Sequence, residues 1–251
     1  MSGAVKAVLF DFGGVFTDSP FHVVHAFGEE LGVGPDVVTR IVFGSYEHDG
    51  DHPWHQLERG EIALETAREQ ILLLGKERDL HTDIYELFAR MAGNNGGAAQ
   101  RQPLVERVRS LKQAGYPTGI ITNNVKEFGA GWRAMIPVDE LFDFVVDSSS
   151  AGVRKPDPRI FELALEQLAG ITAEDIAPQE VVFLDDYQAN VDAARALGWQ
   201  GITVGADLRA VIDGVKQQLD RLREQLPNGV QLDVIRDQST FIYAALHEIE
   251  T

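Results

Sequence analysis

The chain contains no cysteine, so no disulfide, thiolate nucleophile or cysteine-bound zinc can enter its chemistry. Long apolar runs are missing too. No stretch approaches the roughly 18–20 residues that span a bilayer, and no basic segment leads into an apolar stretch with a cleavage site at the N-terminus. Clustered basic residues are the third absence: 22 lysines and arginines stand against 39 aspartates and glutamates, a formal net charge of −17. That sign opposes nucleic-acid backbones and anionic membranes. A cytoplasmic protein without nucleic-acid or membrane partners is expected. An anionic ligand would need a pocket made locally positive by a lysine, a metal ion or helix N-termini.

What is present fits a soluble α/β protein. With 251 residues, 44% of them hydrophobic, the chain can build one large domain or a core with an inserted smaller one. Residues 4–10 read as a buried strand, and further apolar runs follow at Thr118–Thr122, Phe142–Val146, Val181–Leu184 and Gly201–Val204. Helical patterns separate them at Pro103–Gln113, Trp132–Leu141, Pro158–Leu168 and Ala189–Leu197, an alternation that predicts a doubly wound, Rossmann-like parallel sheet. Between about Phe21 and Asn95 the rhythm changes to mostly helical patterns, including Phe21–Leu31, Asp36–Phe43, Ile62–Leu74 and Thr82–Met91, closed by the hinge-like Gly93-Asn94-Asn95-Gly96-Gly97. The expected organisation is a discontinuous core of residues 1–20 and 96–251 around a mainly helical cap of residues 21–95. Beyond Val204, apolar residues at helical spacing from Asp207 to Leu226 predict a helix for core packing or a partner interface. Pro227-Asn228-Gly229 then leads to an alternating Val230, Leu232 and Val234.

The polar residues at the strand ends carry the chemistry. Asp11 follows Ala7-Val8-Leu9-Phe10 and precedes a glycine-rich turn; Thr122-Asn123 follows Gly119-Ile120-Ile121; Lys155 stands in Arg154-Lys155-Pro156; Asp185-Asp186 follows Val181-Val182-Phe183-Leu184. Taken alone, each has an ordinary alternative as a turn, cap or loop residue. Adjacent carboxylates, however, need a cation or hydrogen bonds to coexist. Together, at the carboxyl ends of parallel strands where such sheets bind ligands, the residues suit metal-assisted phosphate chemistry. A carboxylate can attack phosphorus once its charge is screened, and Mg²⁺ with oxygen ligands does that screening. Asp11 and Asp185 are candidate Mg²⁺ ligands, with Asp186 direct or one layer out. Thr122 and the Asn123 backbone N–H are candidates for binding phosphoryl oxygens, and Lys155 for orienting Asp11 and offsetting anionic charge.

In this order the motifs resemble the haloacid dehalogenase superfamily: Phe10-Asp11-Phe12-Gly13-Gly14-Val15, Ile121-Thr122-Asn123, Arg154-Lys155-Pro156-Asp157-Pro158-Arg159-Ile160-Phe161, and Phe183-Leu184-Asp185-Asp186 with Asn190 beyond. The resemblance covers roughly residues 4–205. It implies a subclass I helical cap, and Trp54-His55-Gln56-Leu57-Glu58-Arg59-Gly60-Glu61 is similar to the cap of epoxide-hydrolase N-terminal-domain-like phosphatases, with no epoxide-hydrolase domain expected in a chain this short. Gly13 departs from the pattern. Phosphatases of the superfamily usually carry a second Asp there, as acid and base, while its backbone carbonyl binds Mg²⁺; glycine keeps the carbonyl and drops the carboxylate.

The expectation is a Mg²⁺-dependent phosphatase of a small phosphorylated metabolite, working through an aspartyl phosphate on Asp11, as a monomer or homodimer. Two alternatives stand beside it: a weakly active or inactive ligand-binding module, and a 2-haloacid dehalogenase, for which the Asp185-Asp186 pair has no use. In the cap, His48, His52 and His55 could titrate near neutral pH. They are expected in a solvated loop, with a substrate-facing loop or a transition-metal site as alternatives; Gly50 and Pro53 would break a helix that set ligand geometry. Glu58, Arg59 and Glu61 read as a helix-start or ion-pair cluster, from which Arg59 could reach a substrate anion.

Overall fold

A computed structural model describes residues 5–93, 98–129, 131–173 and 175–204. The helix expected from Asp207, the strand expected near Val230 and most of the glycine-rich hinge lie outside them. Five strands, β1 (Ala7–Phe10), β2 (Thr118–Thr122), β3 (Phe144–Asp147), β4 (Val181–Asp185) and β5 (Gln200–Thr203), form one all-parallel sheet in the order β3-β2-β1-β4-β5. A sheet covered on both faces explains why β1, β2 and β4 read as unbroken apolar runs. Val8, Phe10, Ile120, Val182 and Leu184 point into one layer with Leu104, Val108 and Leu141; Ala7, Leu9, Ile121, Val181 and Phe183 point into the other with Ile160, Phe161, Ala164 and Ala194.

Helices α1 (Pro20–Glu30), α2 (Pro35–Val42), α3 (Pro53–Glu58), α4 (Leu64–Lys76) and α5 (Ile84–Gly93) intervene between β1 and the next core helix, α6 (Ala98–Gln113). They share a separate buried cluster that includes Val24, Phe27, Val38, Ile41, Leu57, Ile71 and Leu87, together with Val125 from the loop after β2. This is the inserted, mainly helical cap. Three of its helices begin on a proline, the position where a missing N–H is harmless and a fixed φ suits the helix.

Several boundaries differ from the pattern. Pro53 starts α3 rather than breaking a helix. Helix α6 begins five residues before Pro103, through Ala98-Ala99-Gln100-Arg101-Gln102, most of them good helix formers. The single helix expected at Trp132–Leu141 divides into a 3₁₀ turn (Trp132–Ala134) and α7 (Val138–Leu141), parted by Pro137, whose ring does not suit a helix interior. Strand β3 starts two residues later than Phe142, whose ring instead packs edge-on against Phe10 and Phe16 with centroids 5.9 and 5.7 Å away. The remaining α-helices are α8 (Ser148–Ala151), α9 (Pro158–Ile171) and α10 (Gln188–Ala196), with 3₁₀ turns at Lys126–Phe128 and Pro178–Glu180. Among the described residues no helix is long and apolar enough to cross a membrane.

Candidate active site

Strand order places β1 between β2 and β4. The chain runs outward through β2 and β3, then returns to the other side of β1, so the topological switch lies between β1 and β4, where ligands of such sheets bind. Phe10 is level with Leu184 across that pair, so Asp11 and Asp185 emerge side by side. The Asp11 N–H donates to the Leu184 carbonyl at 2.7 Å, pinning the strand end.

The next residues turn sharply, and Gly14 adopts φ +72°. A Cβ there would lie 1.9 Å from Asp186 Oδ2; only glycine lets the turn and the second carboxylate approach so closely. Gly13 is the reverse case. A Cβ at this position would meet nothing within 4 Å, and the residue borders open cavity.

Lys155 is the electrostatic centre. Its ammonium, 1% exposed, lies 2.7 Å from both Asp11 Oδ1 and Asp185 Oδ2 and donates to the Ile121 carbonyl at 2.8 Å. Three N–H bonds thus have three partners. A two-point clasp holds the backbone of Lys155: its N–H donates to Asn123 Oδ1 at 2.8 Å, and Asn123 Nδ2 donates to its carbonyl at 3.0 Å. The Lys155-Pro156 peptide is cis.

Asp185, fully buried, accepts from Lys155, from the Tyr187 N–H at 2.8 Å and from Asn190 Nδ2, which lies 3.1 Å from each oxygen. These contacts use the roughly four lone-pair directions a carboxylate offers. Asp186 differs: it lines the cavity, and Asp185 does not. Asp11, Asp185 and Asp186 each present an oxygen, all within 4.8 Å of one another. Burial, and then the Asp185 charge, pushes the Asp186 carboxyl up to about 6. Burial also raises Asp11 well above the usual carboxylate range, against the pull of Lys155. Such crowded carboxylates are short of positive charge, and an all-oxygen donor set suits a hard divalent cation; the three residues could hold a metal.

The cavity measures about 130 Å³. Asp11, Gly13, Asn123, Lys155 and Asp186 form its floor, and cap aromatics Phe21, Phe43, Tyr46, Trp54 and Phe88, with Phe128, form much of its wall. Thr122, 5% exposed, is not among the lining residues; its hydroxyl lies 3.5 Å from the Asn123 carbonyl. The structure therefore brings Asp11, Gly13, Asn123, Lys155 and Asp186 to one cavity and sets Thr122 and Asp185 just behind them.

The cap histidines correct the expectation of a solvated loop. His48 is exposed, but His52 caps α3 by accepting from the Trp54 N–H at 3.2 Å, and His55 is 2% exposed inside the helix. His55 Nδ1 lies 3.6 Å from Asp49 Oδ1, too far for a hydrogen bond, and neither His55 Nε2 nor His52 Nε2 has a close partner. Desolvation lowers His52 to about 4 and His55 to about 3, so both are neutral at pH 7 rather than poised to titrate. Neither belongs to a metal-ligating group among the described residues.

Glu58 ends α3 rather than starting a helix. Arg59 is committed to Asp49 and Glu61 and does not line the cavity. Sequence reasoning missed the role of Glu58. It is 2% exposed and accepts from the Tyr46 hydroxyl at 2.9 Å and from Arg154 Nε at 2.7 Å, while its carbonyl accepts from Ser148 Oγ at 2.6 Å. Arg154, fully buried, stands immediately before Lys155, so this pair ties the cap to the loop that carries the lysine. The one available signal was an arginine beside the lysine.

Residues 5–198 match the family model "haloacid dehalogenase-like hydrolase". Curated relatives include acyl-CoA dehydrogenase family member 10 of Mus musculus (31% identity, 82% of this chain, 18% of that protein). Bifunctional epoxide hydrolase 2 of the same organism is similar at 26% identity over 80% of this chain and 36% of its own length. Sesquiterpene phosphatase astK of Aspergillus oryzae is 29% identical over 80% of this chain and 91% of its length. The chain thus spans well under half of the first two relatives. Among solved structures, a HAD family enzyme from Bacteroides thetaiotaomicron aligns with a TM-score of 0.53 at 21% identity, covering 84% of this chain and 99% of that one. A dehalogenase aligns at 0.54 and 20%, covering 81% and 86%; at such identities these two alignments speak for the fold alone. With the family match spanning four of the five strands, the cap helices and every motif of the site, the chain belongs to the haloacid dehalogenase-like hydrolases.

Proposed function

We propose that the protein is a Mg²⁺-dependent phosphatase of a small phosphorylated metabolite, acting through an aspartyl phosphate on Asp11. The carrying observation is the triple junction of Asp11, Lys155 and the Asp185-Asp186 pair at the sheet switch point. A buried lysine oriented toward the attacking carboxylate, beside a site short of positive charge, suits a substrate that brings phosphate and a metal together. The phosphatase relative that spans most of its own length with this chain supports the same reading.

Asp11 and Asp186 would hold Mg²⁺ together with the Gly13 carbonyl. Asp185, its lone pairs already engaged, serves mainly to position Lys155, and binds the ion only by surrendering a hydrogen bond. Bound Mg²⁺ would neutralise phosphoryl charge and let two anions meet. The other Asp11 oxygen attacks phosphorus. The Asn123 N–H hydrogen-bonds a phosphoryl oxygen, with the Thr122 hydroxyl as a further donor from just behind the lining, and the Lys155 ammonium offsets the charge that gathers. The cap helices between residues 21 and 93 close over the carboxyl ends of the strands, and their aromatic wall excludes water from the first step.

Asp11→Asn tests the reading: loss of phosphate release from a broad phosphate panel, with binding of Mg²⁺ weakened, supports it, and full activity would refute it. The carboxylate crowding argues against dehalogenation, which needs no cation; chloride release from haloacids would reverse that judgement. Gly13 favours one second reading, a binding module with weak turnover. In that case phosphate would bind with Mg²⁺ while every substrate stayed intact.

A further inference from the structure

We infer that the substrate carries a leaving group acidic enough to depart without a proton, on an apolar, preferably aromatic frame: an acyl or aryl phosphate rather than an alkyl phosphate. The inference rests on the phosphatase reading above and narrows it to a substrate class.

The space beside Gly13 is empty, since a Cβ there would find no atom within 4 Å. The position that the superfamily resemblance gives to the general acid thus holds no side chain, its own or a neighbour's. The remaining proton carriers on the cavity wall are committed by geometry. Lys155 gives all three N–H bonds to Asp11, Asp185 and the Ile121 carbonyl. The Tyr46 hydroxyl donates to Glu58 and accepts from Trp54 Nε1 at 3.2 Å. Glu58 is held between Tyr46 and Arg154. The Tyr187 hydroxyl reaches outward to Glu47 at 3.2 Å. Asp186, which also lines the cavity, is taken up by the metal in the phosphatase reading, so among the described lining residues a leaving group that needed protonation would find no free side-chain donor.

The wall above the phosphate adds the second half. Phe21, Phe43, Tyr46, Trp54, Phe88 and Phe128 interlock at centroid distances such as 5.0 Å for Phe21–Tyr46 and Phe88–Phe128 and 4.7 Å for Phe43–Trp54. Lys155 is the cation on the lining, and it serves the floor. Such a wall accepts an aromatic or short apolar group and offers little to a polyhydroxylated or charged one.

The chemistry balances without a protein acid. Asp11 attacks phosphorus, the bond from phosphorus to the acyl or aryl oxygen breaks, and its electron pair leaves on a carboxylate or phenolate. Water then attacks phosphorus of the aspartyl phosphate. Asp11 departs as carboxylate, and the proton of the water passes to a phosphoryl oxygen, giving dihydrogen phosphate.

Benzoyl phosphate and benzyl phosphate put the same ring on the same wall and differ in leaving-group acidity. With Mg²⁺-loaded protein, kcat/KM for benzoyl phosphate should exceed that for benzyl phosphate by at least about 10²-fold, the scale of a missing general acid. Gly13→Asp, for which the cavity has room, should raise benzyl phosphate turnover relative to benzoyl phosphate by at least roughly tenfold. If the wild-type protein handles the two within about tenfold, or Gly13→Asp leaves their ratio unchanged, the inference is wrong. Acid-quenched phosphoenzyme distinguishes the two levels: phosphoenzyme with no leaving-group dependence overturns the substrate class alone, whereas no phosphoenzyme from either compound, in either protein, overturns the phosphatase reading and this inference with it.

Discussion

Lys155 joins two carboxylates that would otherwise repel each other, and its removal has consequences for both. Lys155→Met should lower kcat/KM by about 10²–10³-fold, as loss of a preorganised charge in a water-poor site does, while the protein stays folded by circular dichroism; a change under threefold would place the lysine outside the reaction. Gly14 faces a stricter demand than the more conspicuous Gly13. Gly14→Ala combines a left-handed φ of +72° with a Cβ 1.9 Å from Asp186 Oδ2, so Mg²⁺ affinity measured by calorimetry should fall. Unchanged affinity would mean that Asp186 is not a ligand. Asp11, Lys155 and the Asp185-Asp186 pair were legible in the sequence because each sits directly after an apolar run that could only be a strand, or beside a proline that fixes a loop. The division of labour between Asp185 and Asp186 was not legible. It depends on where Asn190 and the Tyr187 N–H point, which no spacing encodes.

At the scale of elements, α3 is the piece that links cap and core. Its last residue, Glu58, meets Arg154 across 96 positions of sequence, and Ser148 fastens the same turn by its hydroxyl. Glu58→Ala strands a fully buried guanidinium, and breaking such a pair costs about 3–5 kcal/mol; urea unfolding should show a loss of that order. A loss below about 1 kcal/mol would mean that Asp49 and the Tyr46 ring compensate Arg154 unaided. Two physical facts hide this link in the sequence. Pro53 reads as a breaker although its place at a helix start is equally natural, and a pairing between distant positions leaves no periodic trace. The sheet was easier: β2 and β4 are bounded by glycine, proline and acidic residues. At β3, by contrast, the aromatic Phe142 resembles a strand residue while serving the core ahead of the strand.

For the whole molecule, pH acts on stability through the buried histidines and on metal binding through the raised carboxylates. His52 and His55 have folded values of about 4 and about 3 against an ordinary 6.5. Their contribution to stability is therefore complete above pH 6.5 and is lost as pH falls from there toward 3. The melting temperature should drop across that window, and His55→Gln should flatten the drop if the imidazole is its cause; an unchanged slope would assign it elsewhere. Metal binding follows the carboxylates. With Asp186 at about 6 and Asp11 raised as well, Mg²⁺ must displace protons below that pH. Affinity should rise with pH through about 6, where Asp186 loses its proton, and calorimetry in buffers of different ionisation enthalpy should register proton release. Mg²⁺ should also raise the melting temperature, since it binds the folded site and not the unfolded chain.

The central claim is that Asp11 receives the phosphoryl group. The most direct measurement is rapid acid quench of Mg²⁺-loaded protein with benzoyl phosphate, followed by peptide mass spectrometry after borohydride reduction, which marks a phosphorylated aspartate. A mark on Asp11, absent in Asp11→Asn and absent without Mg²⁺, is the predicted result; phosphate release with no mark on Asp11, or a mark on another residue, would contradict the account.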